Sequence, residues 1–171
     1  MLRYLFSLVF ISLFSLGFSQ NVSKVDFVIK NLGINVDGHF KDFSIIAEFS
    51  SDGDLKRITS KIKVASIETG IESRDQHILE EDYFNEEKHK YIRLESIAIS
   101  KKTDTVYAVV ANLSIKGITK KINIKINVTR EKDSYKLTSN FEINRKDYKV
   151  GGGSFVMGKT VKISVVHYQN L

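Results

Sequence analysis

Apolar and polar residues alternate with a period of two along most of this chain, and no proline interrupts the alternation. That pattern describes strands with one wet and one buried face, and the missing proline leaves every ladder donor in place. Val25, Phe27 and Ile29 alternate with Lys24, Asp26 and Lys30. Ile34, Val36, Gly38 and Phe40 follow, and Phe43, Ile45, Ala47 and Phe49 continue to a turn at Ser51-Asp52-Gly53-Asp54, whose Asp-Gly pair is a hairpin signal. Further rows run through Ile58, Ser60, Ile62 and Val64, then Ile92, Leu94 and Ser96, then Tyr107 to Ile115. After a turn at Gly117 come Ile122 to Val128, Tyr135 to Ile143, and Val161 to Val165. One stretch breaks the rhythm. Between Ser73 and Tyr83 the spacing of Ile78, Leu79 and Tyr83 suits a short helix, with Ser73 and Gln76 resembling a capping box and Asp75 near its positive end.

About eight long antiparallel strands in one sheet curl and close, because closure removes exposed edges. The expectation is an all-β fold: a single extended antiparallel β-barrel of about eight strands, with one short helix around residues 73–83. The pattern alone also fits a sandwich. A barrel of that strand number has an interior just wide enough for side chains or one slender ligand. The chain has no cysteine, so neither disulfides nor thiolate metal sites can hold it together.

The first residues form an address. One cation, Arg3, precedes an apolar run from Tyr4 to Phe18, and Gly17-Phe18-Ser19 places small residues before Gln20. That is the pattern of a secretory leader over residues 1–19, followed by one domain over residues 20–171. The run is shorter than the roughly 20 apolar residues that span a bilayer. Periplasmic or secreted localisation is the expectation, which disfavours reactions driven by cytosolic nucleotides. The net charge of +6 then points to solubility or to contact with anionic membrane surfaces, and nucleic acid is a poor partner for an exported chain.

Chemical motifs are few. Gly153 to Thr160 matches a phosphate-binding loop letter for letter, but a β-branched strand follows it and the chain ends eleven residues later, leaving no room for the helix and crossover. His39, His77, His89 and His167 lack metal-ligand spacing, and no nucleophile elbow is present. No catalytic residue, metal or cofactor is expected. Charges gather from Glu72 to Asp82, where Arg74, Asp75, His77 and Asp82 are candidates for a polar lid held by an Arg74–Asp75 pair.

Longer segments carry a family resemblance. Val64-Ala65-Ser66-Ile67-Glu68-Thr69-Gly70, then Ser73 to Leu79, Asp82-Tyr83-Phe84, Leu113 to Lys120 and Phe141 to Tyr148 together resemble the YceI-like family. The opening segments Val25 to Gly33 and Val36 to Phe40 fit it as well, so the resemblance runs from Ser23 to His167. It implies a lipocalin-like, usually periplasmic barrel whose apolar lumen holds an isoprenoid or other long-chain lipid; the expectation for this chain is a carrier with no catalysis of its own. Asn31 departs from the family, which commonly has His there. From the rows that could face inward, the lumen candidates are Phe27, Ile29, Phe40, Phe43, Ile62, Val64, Leu94, Leu113, Ile124 and Phe141. Two rivals stand beside the carrier: an enzyme acting on a lipophilic substrate, and a solid-cored structural or interaction barrel without a ligand.

Overall fold

The structure, a computed structural model, describes residues 22–171; the expected leader over 1–19 lies outside the described residues. Ten strands form one antiparallel sheet: β1 (Lys24–Asn31), β2 (Ile34–Phe40), β3 (Phe43–Phe49), β4 (Leu55–Lys63), β5 (Ile67–Glu68), β6 (Tyr91–Lys101), β7 (Val106–Ile115), β8 (Ile118–Arg130), β9 (Ser134–Asn144) and β10 (Met157–Asn170). Their order across the sheet is β3-β4-β6-β7-β8-β9-β10-β1-β2-β5. Among the described residues, one helix, α1 (Glu72–Leu79), and two 3-10 turns, Val64–Ser66 and Arg145–Tyr148, accompany the sheet.

Ten strands replace the expected eight for two local reasons. The row from Ile34 to Phe49 turns a corner at Lys41-Asp42, where Lys41 N–H donates to the Ser66 carbonyl at 3.1 Å and the Asp42 carbonyl accepts from Lys63 N–H at 2.9 Å. The corner shifts the buried phase from Gly38 and Phe40 to Ala47, and splits one strand into β2 and β3. The second addition, β5, is only two residues long and pairs with the end of β2.

The helix also differs from expectation. It spans Glu72–Leu79 and its N-cap is Ile71, which makes no side-chain cap. The capping box does not form, because the helix starts before Ser73 and leaves it inside the first turn; the N-terminus is tied instead by Asp75, whose carboxylate accepts Thr69 N–H at 3.0 Å and the Thr69 hydroxyl.

Inward rows pack in two tiers. The lower tier is solid: Leu55, Tyr107, Val109, Val128 and Tyr135 are buried together, with Phe49 stacked on Tyr135 at a centroid distance of 3.9 Å. The upper tier is built largely of aliphatic residues, among them Val25, Ile62, Ile92, Leu113 and Ile115, together with Phe40 and Tyr148.

The curled sheet meets itself at a seam made by side chains. Pairing between β1 and β10 starts at Lys24 and Val166, so the last residues of β10 outrun β1. There Gln169 Oε1 accepts Ala47 N–H of β3 at 3.1 Å, and Ser23 Oγ accepts Tyr168 N–H at 3.1 Å. His167 Nδ1 shares a hydrogen bond with the same Ser23 Oγ at 3.1 Å. Burial holds the His167 pKa below its ordinary 6.5, partly countered by Gln169. A histidine with a depressed folded pKa is protonated first in the unfolded chain, so its contribution to stability is present above pH 6.5 and is lost as pH falls. We expect the melting temperature to drop between pH 7 and pH 5.5, and His167→Gln to flatten that slope. Equal slopes in the two proteins would show that the seam histidine is not the group responsible.

Candidate functional site

The upper tier is not filled. A void of about 200 Å³ lies between the solid lower tier and the cap, with a lining that is almost wholly apolar. An apolar cavity of ~150 Å³ takes a benzene molecule, so this one takes about eight carbons. Its walls come from alternate residues of facing strands: Phe27 and Ile29 of β1, Ile62 of β4, Leu94 of β6, Leu113 of β7, Ile124 of β8 and Phe141 of β9. Phe27 reaches the void over Gly38, its partner across β1 and β2, because any β-carbon at residue 38 would collide with the ring. The ring then tilts against Phe40 at 5.6 Å between centroids.

Two segments cap the void. Ile78, Tyr83 and Phe84 come down from α1 and the turns after it, and Tyr148 and Val150 come from the glycine-rich connection between β9 and β10, with Met157 at the start of β10. Arg145 organises the second segment. Its guanidinium is buried, at 2% exposure, and borders the void. It donates from Nε to Gly158 at 2.8 Å, from Nη1 to Val150 at 2.7 Å and to Gly151, and from Nη2 to Met157 at 2.8 Å and Ser154 at 3.2 Å, always to carbonyl oxygens. Burial draws its pKa down, but a guanidinium stays charged in proteins. All five donors are used, so Arg145 fixes the cap and offers no free donor to the lumen. Ser139 is likewise committed, donating to the Lys125 carbonyl at 2.8 Å. Burial pushes the capping Tyr148 phenol up to about 12, so it stays neutral.

Residues 18–167 match the YceI-like domain. The chain belongs to the YceI-like family. It is 34% identical over 102 residues to a UPF0312 protein of Serratia proteamaculans strain 568, covering 58% of this chain and 53% of that one. With the UPF0312 protein plu2095 of Photorhabdus laumondii the identity is 32% over 100 residues, 57% of this chain and 52% of that one. The match thus spans about half the length of these relatives. Among solved structures, BcnA of Burkholderia cenocepacia superposes with a TM-score of 0.79 at 23% identity, over 84% of this chain and 94% of that one. A polyisoprenoid binding domain from Saccharophagus degradans superposes with a TM-score of 0.71 at 19% identity, over 88% and 95%. These likenesses establish the fold.

Eight of the ten lumen candidates of this YceI-like chain line the void: Phe27, Ile29, Phe40, Ile62, Leu94, Leu113, Ile124 and Phe141. Phe43 and Val64 do not. Val64 starts a 3-10 turn and is buried in the upper tier, and Phe43, paired with Ile62 across β3 and β4, packs against that tier. None of the lid candidates touches the void. Arg74 and Asp75 meet on Thr69 instead of on each other: Arg74 donates to the Thr69 carbonyl at 2.6 Å and to its hydroxyl at 2.7 Å, opposite the Asp75 contacts. His77 pairs with Glu80 at 2.9 Å and backs Tyr83 edge-on at 4.8 Å. Asp82 is exposed, and its carbonyl accepts Gly151 N–H at 2.9 Å, joining the two caps. Lys159 of the phosphate-loop lookalike stands exposed in β10, and no helix follows it. Asn31 buries its Oδ1 without a partner.

Arg145 and His167 were missed among the lining residues. The signal was present: Arg145 extends the inward row of Phe141 and Ile143 by one step, and His167 extends that of Val161, Ile163 and Val165. Removing Arg145 orphans five carbonyls in a buried cap. We expect Arg145→Leu to cost about 3 kcal/mol or more and to open residues 150–157 to protease. Arg145→Lys, with three donors, should fall between the two. A thermal melt and a limited digest check both; a wild-type digestion pattern in Arg145→Leu would contradict this role.

Proposed function

We propose that this YceI-like chain is an exported carrier that holds a long apolar lipid of the polyisoprenoid class in its lumen, without chemistry of its own. The observation that carries the reading is the almost wholly apolar void above a solid floor, at whose edge the buried polar groups of Arg145, Ser139 and His167 are engaged by the wall. About eight buried methylene equivalents are worth roughly 6 kcal/mol gross, before ordering costs. Apolar area alone therefore supplies useful affinity. A longer chain enters by turning the half-buried rings of Phe27 and Phe141 and runs out beneath the cap. The polyisoprenoid binding domain from Saccharophagus degradans supports the ligand class through its shared fold. The leader pattern over residues 1–19 supports export to the periplasm or beyond.

Native mass spectrometry of detergent-free protein from a bacterial periplasm, followed by organic extraction, tests this. We expect a mature chain beginning at Gln20 with an extractable lipid. Phe27→Asp, which puts a carboxylate into the void, should keep the fold and retain at least tenfold less lipid. A chain that carries no lipid and takes up no added polyisoprenol would overturn the reading.

A further inference from the structure

Four large apolar side chains meet water side by side at the capped end of the barrel. Leu32 is 72% exposed and Ile34 70%, Val156 is 53% exposed, and Phe155 is fully exposed. A backbone hydrogen bond from Leu32 N–H to the Val156 carbonyl at 2.9 Å and the pairing of Asn31 with Met157 place the two pairs together. Contiguous exposed apolar surface of this kind marks an interaction site.

The turn that carries Leu32 is strained for no local return. Asn31 pairs with Ile34, so Leu32 and Gly33 form a two-residue hairpin turn with φ of 52° and 80°, a type I′ geometry that favours Asn-Gly. Lys116 sits in the same left-handed conformation at the β7–β8 hairpin, but its ammonium donates to the carbonyls of Glu81 at 2.7 Å and Lys149 at 3.0 Å. Leu32 has no such use among the described residues: a leucine stands where asparagine fits best, with its side chain 72% exposed. Local rules broken in this way point to function.

We propose that Leu32, Ile34, Phe155 and Val156 form a wedge that seats the capped end of the barrel in an anionic bilayer. The purpose of the wedge rests on the lipid-carrier reading, whereas the exposed tips are present whatever the lumen holds. The four side chains sit on two projecting tips, with open space around Gly33, Gly152 and Gly153, a shape that enters a lipid interface more readily than it fills a protein groove. Exposed Lys30 and Lys159 stand at the base of the tips, where Lys30 packs against Gly158, and they complement anionic headgroups. Of the acids in the neighbouring 80–82 segment, Glu81 pairs with Lys88 at 3.7 Å and Glu80 is hydrogen-bonded to His77 at 2.9 Å. The Phe155–Val156 tip lies between Val150 of the connection and Met157 at the start of β10, both of which line the void. Seating that tip among acyl chains brings the cap to the phase from which a lipid would enter.

The chain contains no tryptophan, so Phe155→Trp makes a single reporter. We expect its emission to shift to the blue on vesicles of phosphatidylglycerol and phosphatidylethanolamine, and the shift to weaken at high salt. Leu32→Asn should leave the melting temperature unchanged or raised, and combined with Phe155→Ser should weaken vesicle binding at least tenfold. Ile97→Asn, at an exposed isoleucine on the β6 wall, should bind as wild type. Absence of a blue shift, equal binding by the double variant, or a dimer that the double variant abolishes would overturn the wedge; the last would assign the tips to a second copy. Cargo-free protein is used throughout, so a chain that yields extractable lipid but ignores vesicles refutes the docking alone.

Discussion

A long antiparallel sheet has one apolar face to bury, and with no second layer to cover it the sheet must curl until that face meets itself. The rest of the molecule depends on this constraint. With no cysteine to staple the ends, the curl is held by packing and by a seam in which Gln169 and Ser23 accept the N–H groups of Ala47 and Tyr168 that no ladder reaches. What the curl encloses is then a matter of side-chain volume. Tyr107, Tyr135 and the stacked Phe49 pack together in the lower half, while the upper half, although it holds Phe27, Phe40 and Tyr148, leaves a void. The same strands therefore make both a solid floor and the walls of a void.

The buried polar groups at the void, Arg145, Ser139 and His167, are turned to partners in the wall. Arg145 is a buried cation without a carboxylate partner among the described residues, and it is tolerable there because five carbonyls between Val150 and Gly158 converge on it. The charge ties down the cap while its donors stay turned away from the lumen. A ligand held by such a site is recognised by length and cross-section more than by hydrogen bonds, which suits repetitive apolar chains.

Much of the wall was legible because a period of two assigns a face to every residue in a strand. Phe27, Leu113 and Ile124 were placed on the lumen by that rule, and they line it. The rule also reaches Arg145 and His167, but their charge and polarity argued for water, and only the tertiary packing shows them satisfied inside. Val64 escaped the rule because the strand ends in a 3-10 turn just where the alternation predicts one more inward residue. The corner at Lys41-Asp42 is visible as a slip in phase between Phe40 and Phe43, but a slip alone does not distinguish a bulge from a bend. The lid was the least legible part. Charges between Glu72 and Asp82 drew attention to Arg74 and Asp75, whereas the residues that close the void are the apolar Ile78, Tyr83 and Phe84 between and beside them.

The central claim is that the upper half of the barrel is a container for an apolar chain and not an incompletely packed core. A high-resolution crystal structure of the protein isolated from its own host without detergent tests this most directly. The account predicts continuous chain-like density between Phe27, Leu94 and Ile124, reaching the cap near Met157. Side chains collapsed to close the space, or a cluster of ordered water within it, would contradict the account.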